Sequence, residues 1–475
     1  MTIQQNQIGS IQCISTDVLV VGAGLTGLTV AYWLTRQGHR VHVVERQSRV
    51  GGQIQTHRQG GYVFESGPTT GSVSTPEVAE LMADLAETSA GRCLLETAPD
   101  AAKRRLIWKH GRFHALPSGP WGGLTTPLFS FSDKLRILTE PWRKKGMNPD
   151  ETIAELTCRR LGHSFLDYAV DPFVSGVYAG NPHQLVTRHA LPKLYRLEQE
   201  HGSFIRGAVA KVRQPKEPRE RLATKKVFSA KGGMETIPQS EAKYIGYEHI
   251  SLGADSVTLM PEDGMWHTTF QMPDGVCREV LSRHVVTTSG AYTLPDLLPF
   301  VEAARLEPIT RLVYAPIMEV AVGLSNRHEG DYLAFGGLVP TCERRDVLGV
   351  LFPSTCFSHR APDGSALFSV FIGGIKHPEM LGKSDGEIVS LVKDTLHTML
   401  GVPTDVKPDL IRIFRHEHAI PQYGADSDER VTAVERLESE FPGLILAGNL
   451  RDGIGMGHRM TQAMQIAGKI NKSKI

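Results

Sequence analysis

Paired cysteines are missing from this sequence. Its six thiols, Cys13, Cys93, Cys158, Cys277, Cys342 and Cys356, form no C-x-x-C pair, so zinc ribbons, iron–sulfur clusters and thioredoxin-like centres lack ligands at their usual spacing. Scattered thiols in a long chain fit a reducing compartment. Long apolar runs are also missing. No stretch of about 18 apolar residues is free of charge, which argues against a spanning helix and leaves an amphipathic surface helix open. Net charge is nearly absent at +1, giving no field that would make nucleic acid or acidic lipid the main partner. The first 16 residues lack Lys, Arg and any sustained apolar run, so they read as a loose tail without a secretory or mitochondrial signal, and the expected location is cytoplasmic.

What is abundant is glycine, 47 residues in 475, mostly in short turn-like clusters suited to wrapping backbone around a ligand. The length exceeds what one hydrophobic core supports, so two or three lobes are expected.

Asp17-Val18-Leu19-Val20-Val21 is an apolar run bounded by turn residues, as in a buried parallel strand. Gly22-Ala23-Gly24-Leu25-Thr26-Gly27 follows, then Leu28, Ala31, Tyr32 and Leu34 at helical spacing, then a strand ending at Glu45. In this context G-x-G-x-x-G is a dinucleotide-binding signature. Gly22 permits the tight turn, Gly24 lets a pyrophosphate approach the backbone, and Gly27 lets helix and sheet pack closely. Glu45, 23 residues after Gly22, can accept hydrogen bonds from ribose hydroxyls. Two further glycine turns, Gly51-Gly52-Gln53 and Gly67-Pro68, suggest backbone closing over a longer, buried cofactor.

Thr75 and Pro76 open a helix whose face is Val78, Leu81, Met82 and Leu85; another is expected over 150–161. Residues 211–226 carry nine charges, net +5, and read as an exposed loop. Strand-like runs occur at 283–288, 311–322, 347–352 and 366–372, and Ser384 with Glu387 makes a capping box. Near the C-terminus, Pro442-Gly443-Leu444-Ile445-Leu446-Ala447-Gly448 is a strand into a turn, and the glycines of 449–457 lead into a final helix. Such a helix N-terminus is a second place to receive an anion or electron-rich ring edge.

From about residue 17 to 470 the chain resembles the protoporphyrinogen oxidases of the flavin-dependent amine oxidase superfamily. The specific matches are Asp171-Pro172-Phe173-Val174-Ser175-Gly176-Val177-Tyr178-Ala179-Gly180-Asn181-Pro182, Phe335-Gly336-Gly337-Leu338-Val339-Pro340, Phe357-Ser358-His359-Arg360-Ala361-Pro362, Phe371-Ile372-Gly373-Gly374, Ala419-Ile420-Pro421-Gln422-Tyr423 and Gly448-Asn449. The resemblance implies an α/β and α+β multi-lobe protein with a Rossmann-type FAD-binding fold, a β-rich substrate lobe and a helical lobe. The expected division is 17–105 for FAD binding, 106–210 mainly helical, 227–290 a returning FAD segment, 291–430 the substrate lobe and 431–475 a last FAD segment. Non-covalent FAD would be held by Gly22, Gly24, Gly27, Glu45, Arg46, Gly51, Gly52, Gly67, Pro68, Val257, Gly448, Asp452, Gly453 and Ile454.

By the same resemblance, Arg104 ahead of Leu106-Ile107-Trp108 would engage a substrate propionate; without it, Lys103, Arg104 and Arg105 read as a solvated basic patch. Phe371 would stack on one pyrrole ring, Leu338 and Leu351 would grip the other side, and Gly176 and Val177 would approach through backbone. No catalytic base and no metal is implied. Three departures stand out: Gln53 replaces the usual arginine, Gly424-Ala425 replaces Gly-His, and the final motif reads Gly455-Met456-Gly457-His458-Arg459. The implied activity is six-electron oxidation of protoporphyrinogen IX to protoporphyrin IX in haem or chlorophyll synthesis. Coproporphyrinogen III oxidation and a non-catalytic flavin or porphyrin carrier remain the alternatives. Implied partners are the porphyrinogen, oxygen or a quinone as acceptor, a ferrochelatase-type enzyme, a second copy of the chain and a membrane surface met by 117–143, with Trp121, Leu124, Leu128, Phe129 and Phe131 toward lipid and Lys134 and Arg136 toward headgroups; an internal core or substrate-entry wall fits the same residues equally well.

Overall fold

The computed structural model describes residues 12–325 and 332–472. Two seven-stranded sheets organise them. In the first, strands Gln12–Val21, Val41–Glu45, Ile250–Leu252, Cys277–Thr287 and Leu444–Leu446 run parallel, and Asp255–Glu262 and Met265–Gln271 extend the edge antiparallel. A parallel sheet covered on both faces needs strands apolar on both sides. Val18, Leu19 and Val20 meet that requirement, all fully buried. Val18, Val20 and Val43 pack under helices Leu25–Arg36, Thr236–Ile245 and Met456–Lys472, while Leu19, Val44 and Val285 face Leu294, Leu298 and Leu306.

The first strand begins at Gln12, so the expected loose tail is shorter than its 16 residues. Gln12, Cys13, Ile14, Ser15 and Thr16 pair with Arg278, Glu279, Val280, Leu281 and Ser282; partnership across the sheet, invisible in a polar local sequence, extends the strand. Residues 1–11 of that stretch lie outside the described residues. The expected loop at 211–226 is likewise trimmed, since helix Phe204–Arg213 claims its start.

The second sheet places strands in the spatial order Leu410–Pro421, Tyr314–Leu324, Ala366–Gly373, Gly349–Leu351, Gly336–Leu338, Arg105–Lys109 and Arg112–Ala115. Its last hairpin lies outside 291–430, so this sheet draws on chain that the sequence reading gave to other segments. Alternation divides its two faces. Met318, Val320, Val322, Phe368, Val370 and Ile372 pack against Ile388, Val392 and Leu396 of helix Asp385–Leu400, which opens with the Ser384–Glu387 capping box. Ala321 and Leu367 of the other face meet Tyr62 and Phe64 from the hairpin Thr56–Gln59 and Tyr62–Glu65. That hairpin runs directly into Gly67 and Pro68, so the second face of this sheet looks toward the nucleotide-binding lobe.

A buried ion pair ties the lobes together. Arg360 donates to Glu65 Oε1 at 2.6 Å and to Ser229 Oγ at 2.7 Å, with side-chain exposures of 3% for Arg360 and 0% for Glu65.

Candidate active site

The turn after the first strand can be judged by what it excludes. A Cβ on Gly27 would lie 1.9 Å from the Gly22 carbonyl oxygen, and Gly22 itself has φ +105°. Neither position tolerates a side chain, which brings helix Leu25–Arg36 tight against the sheet. Across the turn, Gly51 donates to the Ala23 carbonyl at 2.8 Å, and a Cβ on Gly52 would be 3.0 Å from Gly24 Cα. The helix has no side-chain cap and no acidic residue in its first turn, so its positive end is left for an anion. Glu45 is 9% exposed and accepts from Ala23 N at 2.6 Å and Gln47 N at 2.8 Å, fixing its carboxylate beside the turn. These residues fit the pyrophosphate and ribose of a dinucleotide.

Arg46 is exposed. The cation that shapes the glycine loop is Arg49, which sequence reasoning missed. It donates to the carbonyls of Val50, Gly52 and Ile54 at 3.1, 2.6 and 3.3 Å, and burial lowers its pKa. Gln53 reaches across to the His418 carbonyl at 3.2 Å, and a Cβ on Gly67 would sit 2.1 Å from the Gln53 carbonyl oxygen. Val257 lies half-buried in the antiparallel extension, packed on the core; the backbone that meets the Glu45 carbonyl is Ala254, at 2.9 Å. A register irregularity between Asp255 and Thr258 separates the two positions.

The C-terminal segment is folded around its own arginine. Arg459, 7% exposed, donates to the carbonyls of Gly448 and Arg451, the latter at 2.7 Å, and to Gln462 Oε1 at 3.0 Å. Gln462 in turn holds Gly448 N at 3.0 Å and Asp452 Oδ2 at 2.7 Å. Asp452, Gly453 and Gly448 all have positive φ, and helix Met456–Lys472 starts without an acid in its first turn. Ile454 packs between Leu450 of the nucleotide lobe's core and Val174 of the next element.

That element, helix Asp171–Tyr178, carries Gly176 and Val177. Asp171 anchors it by accepting from Thr341 N at 2.7 Å and pairing with Lys376. A Cβ on Gly176 would be 2.4 Å from Leu338 Cδ2, so the glycine is what lets the helix approach the second sheet, and Val177 is 46% exposed.

Register places the remaining residues on one face. Phe371, Gly349, Leu338 and Ile107 are successive cross-strand partners, and Ser369, Leu351, Gly336 and Arg105 form the adjacent row. Leu338, Leu351 and Phe371 are half-buried in strands otherwise closed to solvent, and form an apolar bed facing the nucleotide lobe. Alternation puts Arg105 on this face. Arg104 and Arg105 are both exposed, but Arg104 falls with Leu106 and Trp108, which pack toward the opposite side, so the geometry favours Arg105 over Arg104 beside the bed. The Arg105 guanidinium lies 5.5 Å from the Phe335 ring centroid.

Leu128 and Phe129, read from the sequence either as lipid contacts or as part of an internal core or substrate-entry wall, are buried with Ile107 and Leu338 as a wall of the bed, Phe129 stacking on Phe165 at 3.7 Å. Lys134 is spent on the carbonyls of Leu124 and Thr126, at 2.8 and 2.6 Å, and Arg136 on that of Arg159 at 3.0 Å. His359 is exposed and His458 is folded against Gly453, its pKa lowered by burial and then by Arg459. Among the described residues no group of three or more His, Cys, Asp or Glu could hold a metal, and no helix is long and apolar enough to cross a membrane.

The family described as flavin containing amine oxidoreductase matches residues 25–455. The chain is 29% identical to protoporphyrinogen oxidase 2, chloroplastic/mitochondrial, of Arabidopsis thaliana, covering 95% of this chain and 92% of the relative. It is 29% identical to protoporphyrinogen oxidase of Homo sapiens, covering 95% and 97%. A crystal structure of an Exiguobacterium sp. 255-15 protein, described as a "putative protoporphyrinogen oxidase", superposes with a TM-score of 0.78 at 21% identity over 96% of this chain and 99% of that one.

Proposed function

The chain belongs to the flavin containing amine oxidoreductase family, and from that premise we propose that it is an FAD-dependent protoporphyrinogen oxidase of tetrapyrrole synthesis. The observation that carries the reading is the full-length similarity to protoporphyrinogen oxidases of plants and animals, joined to an apolar bed that faces the nucleotide site.

FAD supplies the hydride-accepting chemistry, and the protein supplies placement. Gly22, Gly24, Gly27 and the uncapped helix end hold the pyrophosphate, Glu45 the ribose, and Arg49 and Arg459 keep the two glycine loops in shape. Phe371, Leu338 and Leu351 offer flat and branched apolar contacts to a macrocycle, and Gly176 lets its helix lie against Leu338 beside them. Arg105 suits a propionate because a guanidinium can clasp a carboxylate through two parallel bonds. Three two-electron cycles on one seated macrocycle need a bed that orients without locking, and aliphatic and aromatic contacts are non-directional.

A peripheral membrane contact forms part of the reading. Trp121, Phe131 and Trp142 are 77%, 75% and 77% exposed, joined by Leu124, Leu135, Leu138, Met147 and, from helix Phe204–Arg213, Val209 and Val212. Lys144, Lys211 and Arg213 flank this surface. Sedimentation with anionic vesicles tests it: binding that Trp121→Ser with Trp142→Ser leaves intact removes this face from the membrane.

Purified protein should be yellow, release free FAD on denaturation, and convert protoporphyrinogen IX aerobically to fluorescent protoporphyrin IX. Release of NAD, or a flavin that stays covalently attached, contradicts the reading.

A further inference from the structure

Three polar atoms at the edge of the bed are sealed from solvent and make no well-formed hydrogen bond: Glu319 Oε1, Ser369 Oγ and Thr69 Oγ1, the two hydroxyls lying close enough to the Glu319 carboxyl to act on it. Register joins two of them to the bed. Glu319 is the cross-strand partner of Phe371, and Ser369 lies two residues before Phe371 on the same face. Thr69 comes from the other lobe, directly after Gly67 and Pro68. The residues Glu319, Ser369 and Thr69 are 1%, 1% and 5% exposed.

An acid at this position is expensive, because burial disfavours its charged form and an unpaired polar atom forfeits its hydrogen bond to water. The neighbouring positions Ala321 and Ile317 are apolar and buried, so packing alone does not call for a carboxyl. No ion pair reaches Glu319 among the described residues. The charged and titratable groups around it are otherwise engaged or offset. From the hairpin, Glu65 is held by Arg360 and His57 stacks on Phe414 at 4.9 Å. From the adjacent strand come Arg412, paired across from Ala321, and His416, bonded to the Ser66 carbonyl at 2.5 Å. Burial holds the Glu319 carboxyl well above the usual carboxylate range, with Glu65 adding to the effect and the Ser369 and Thr69 hydroxyls opposing it.

We propose that Glu319, Ser369 and Thr69 form a proton pass-through at the inner end of the bed, leading from the substrate toward the Gly67-Pro68 loop. The inference rests on the functional reading above, in which each cycle removes a hydride from a carbon of the porphyrinogen and a proton from a nitrogen. A protonated carboxyl takes that proton on one oxygen and gives up the one on its other oxygen to the Thr69 hydroxyl, whose own proton leaves to water at the half-buried Gly67-Pro68 loop. One O–H bond forms as another breaks, no electrons move through the group, and Glu319 is neutral before and after. Ser369 and Thr69 suit the two sides, since a hydroxyl both accepts and donates.

Glu319→Gln keeps the size and hydrogen bonding of the side chain and removes the acid. In oxidised holoenzyme near neutral pH, the infrared carbonyl band of a protonated carboxyl should lose intensity in Glu319→Gln. Under anaerobic mixing with protoporphyrinogen IX, the variant should keep its flavin and its KM while flavin bleaching slows about a hundredfold, the scale of a lost proton-transfer group. Ser369→Ala should slow it less and in the same direction. Bleaching at the wild-type rate in Glu319→Gln, or an unchanged infrared band, overturns the pass-through alone. A wild-type holoenzyme that no porphyrinogen reduces overturns the functional reading and the pass-through with it.

Discussion

Glu241 gives the most quantitative test of the packing beneath the cofactor helix. It is fully buried on helix Thr236–Ile245, where Oε1 accepts from Thr29 Oγ1 at 2.6 Å and Oε2 has no partner. Burial pushes its pKa from 4.5 up to about 8, with the Thr29 hydroxyl opposing the rise. Because the folded-state value lies above the unfolded one, the fold favours the neutral acid. Its contribution is intact below about pH 4.5 and is lost as pH rises toward about 8. At about 1.4 kcal/mol per pKa unit, that span corresponds to at most about 5 kcal/mol. Glu241→Gln keeps the acceptor for Thr29 and cannot ionise. Denaturant unfolding of the FAD-saturated wild type and variant should therefore diverge with pH. The two should be close near pH 5, and by about pH 8.5 the variant should be more stable by several kcal/mol. A stability gap that is flat across this range, or that narrows as pH rises, would refute the reasoning.

Arg105→Ala should raise KM for a porphyrinogen by roughly one to two decades, the value of a charge-assisted bond of about 1.5–3 kcal/mol, while Arg104→Ala stays near wild type; steady-state kinetics showing the reverse order would return the propionate to Arg104. Gly27→Ala places a methyl 1.9 Å from the Gly22 carbonyl oxygen, so absorbance of the purified variant should show little bound flavin. Arg360→Ala leaves Glu65 buried and unpaired and should cost about 3–5 kcal/mol, whereas Arg360→Met combined with Glu65→Met should recover most of that loss in the same unfolding assay.

Much of the nucleotide site was legible in the sequence because its constraints are local and steric. Gly22 and Gly27 sit where only glycine fits, and a strand–turn–helix context is readable within 30 residues. The capping box at Ser384 and Glu387 and the helix opened by Thr75 and Pro76 were legible for the same reason. What escaped depends on partners far away in the chain. Arg104 and Arg105 are indistinguishable until pairing with Gly336 decides which faces the bed. Leu128 and Phe129 read equally as membrane anchors or as an internal wall until Ile107 and Leu338 are seen to cover them. Arg49 carries no motif signal, and the motifs that contain Arg360 and Arg459 assign them no role; the importance of all three lies in which buried carbonyls and carboxylates they meet. Glu319 is a single acid in an apolar strand; its neighbours Ser369 and Thr69 come from a different strand and a different lobe.

The central claim is tested most directly by adding protoporphyrinogen IX and coproporphyrinogen III separately, without oxygen, to the flavin-loaded protein and following flavin bleaching. The bed of Leu338, Leu351 and Phe371 should favour vinyl groups over additional propionates, because an unpaired buried carboxylate is costly. The account predicts rapid bleaching by protoporphyrinogen IX, exceeding that by coproporphyrinogen III at every concentration. Faster bleaching by coproporphyrinogen III would contradict the assigned substrate, and no bleaching by either in a protein of confirmed FAD content would contradict the assigned reaction.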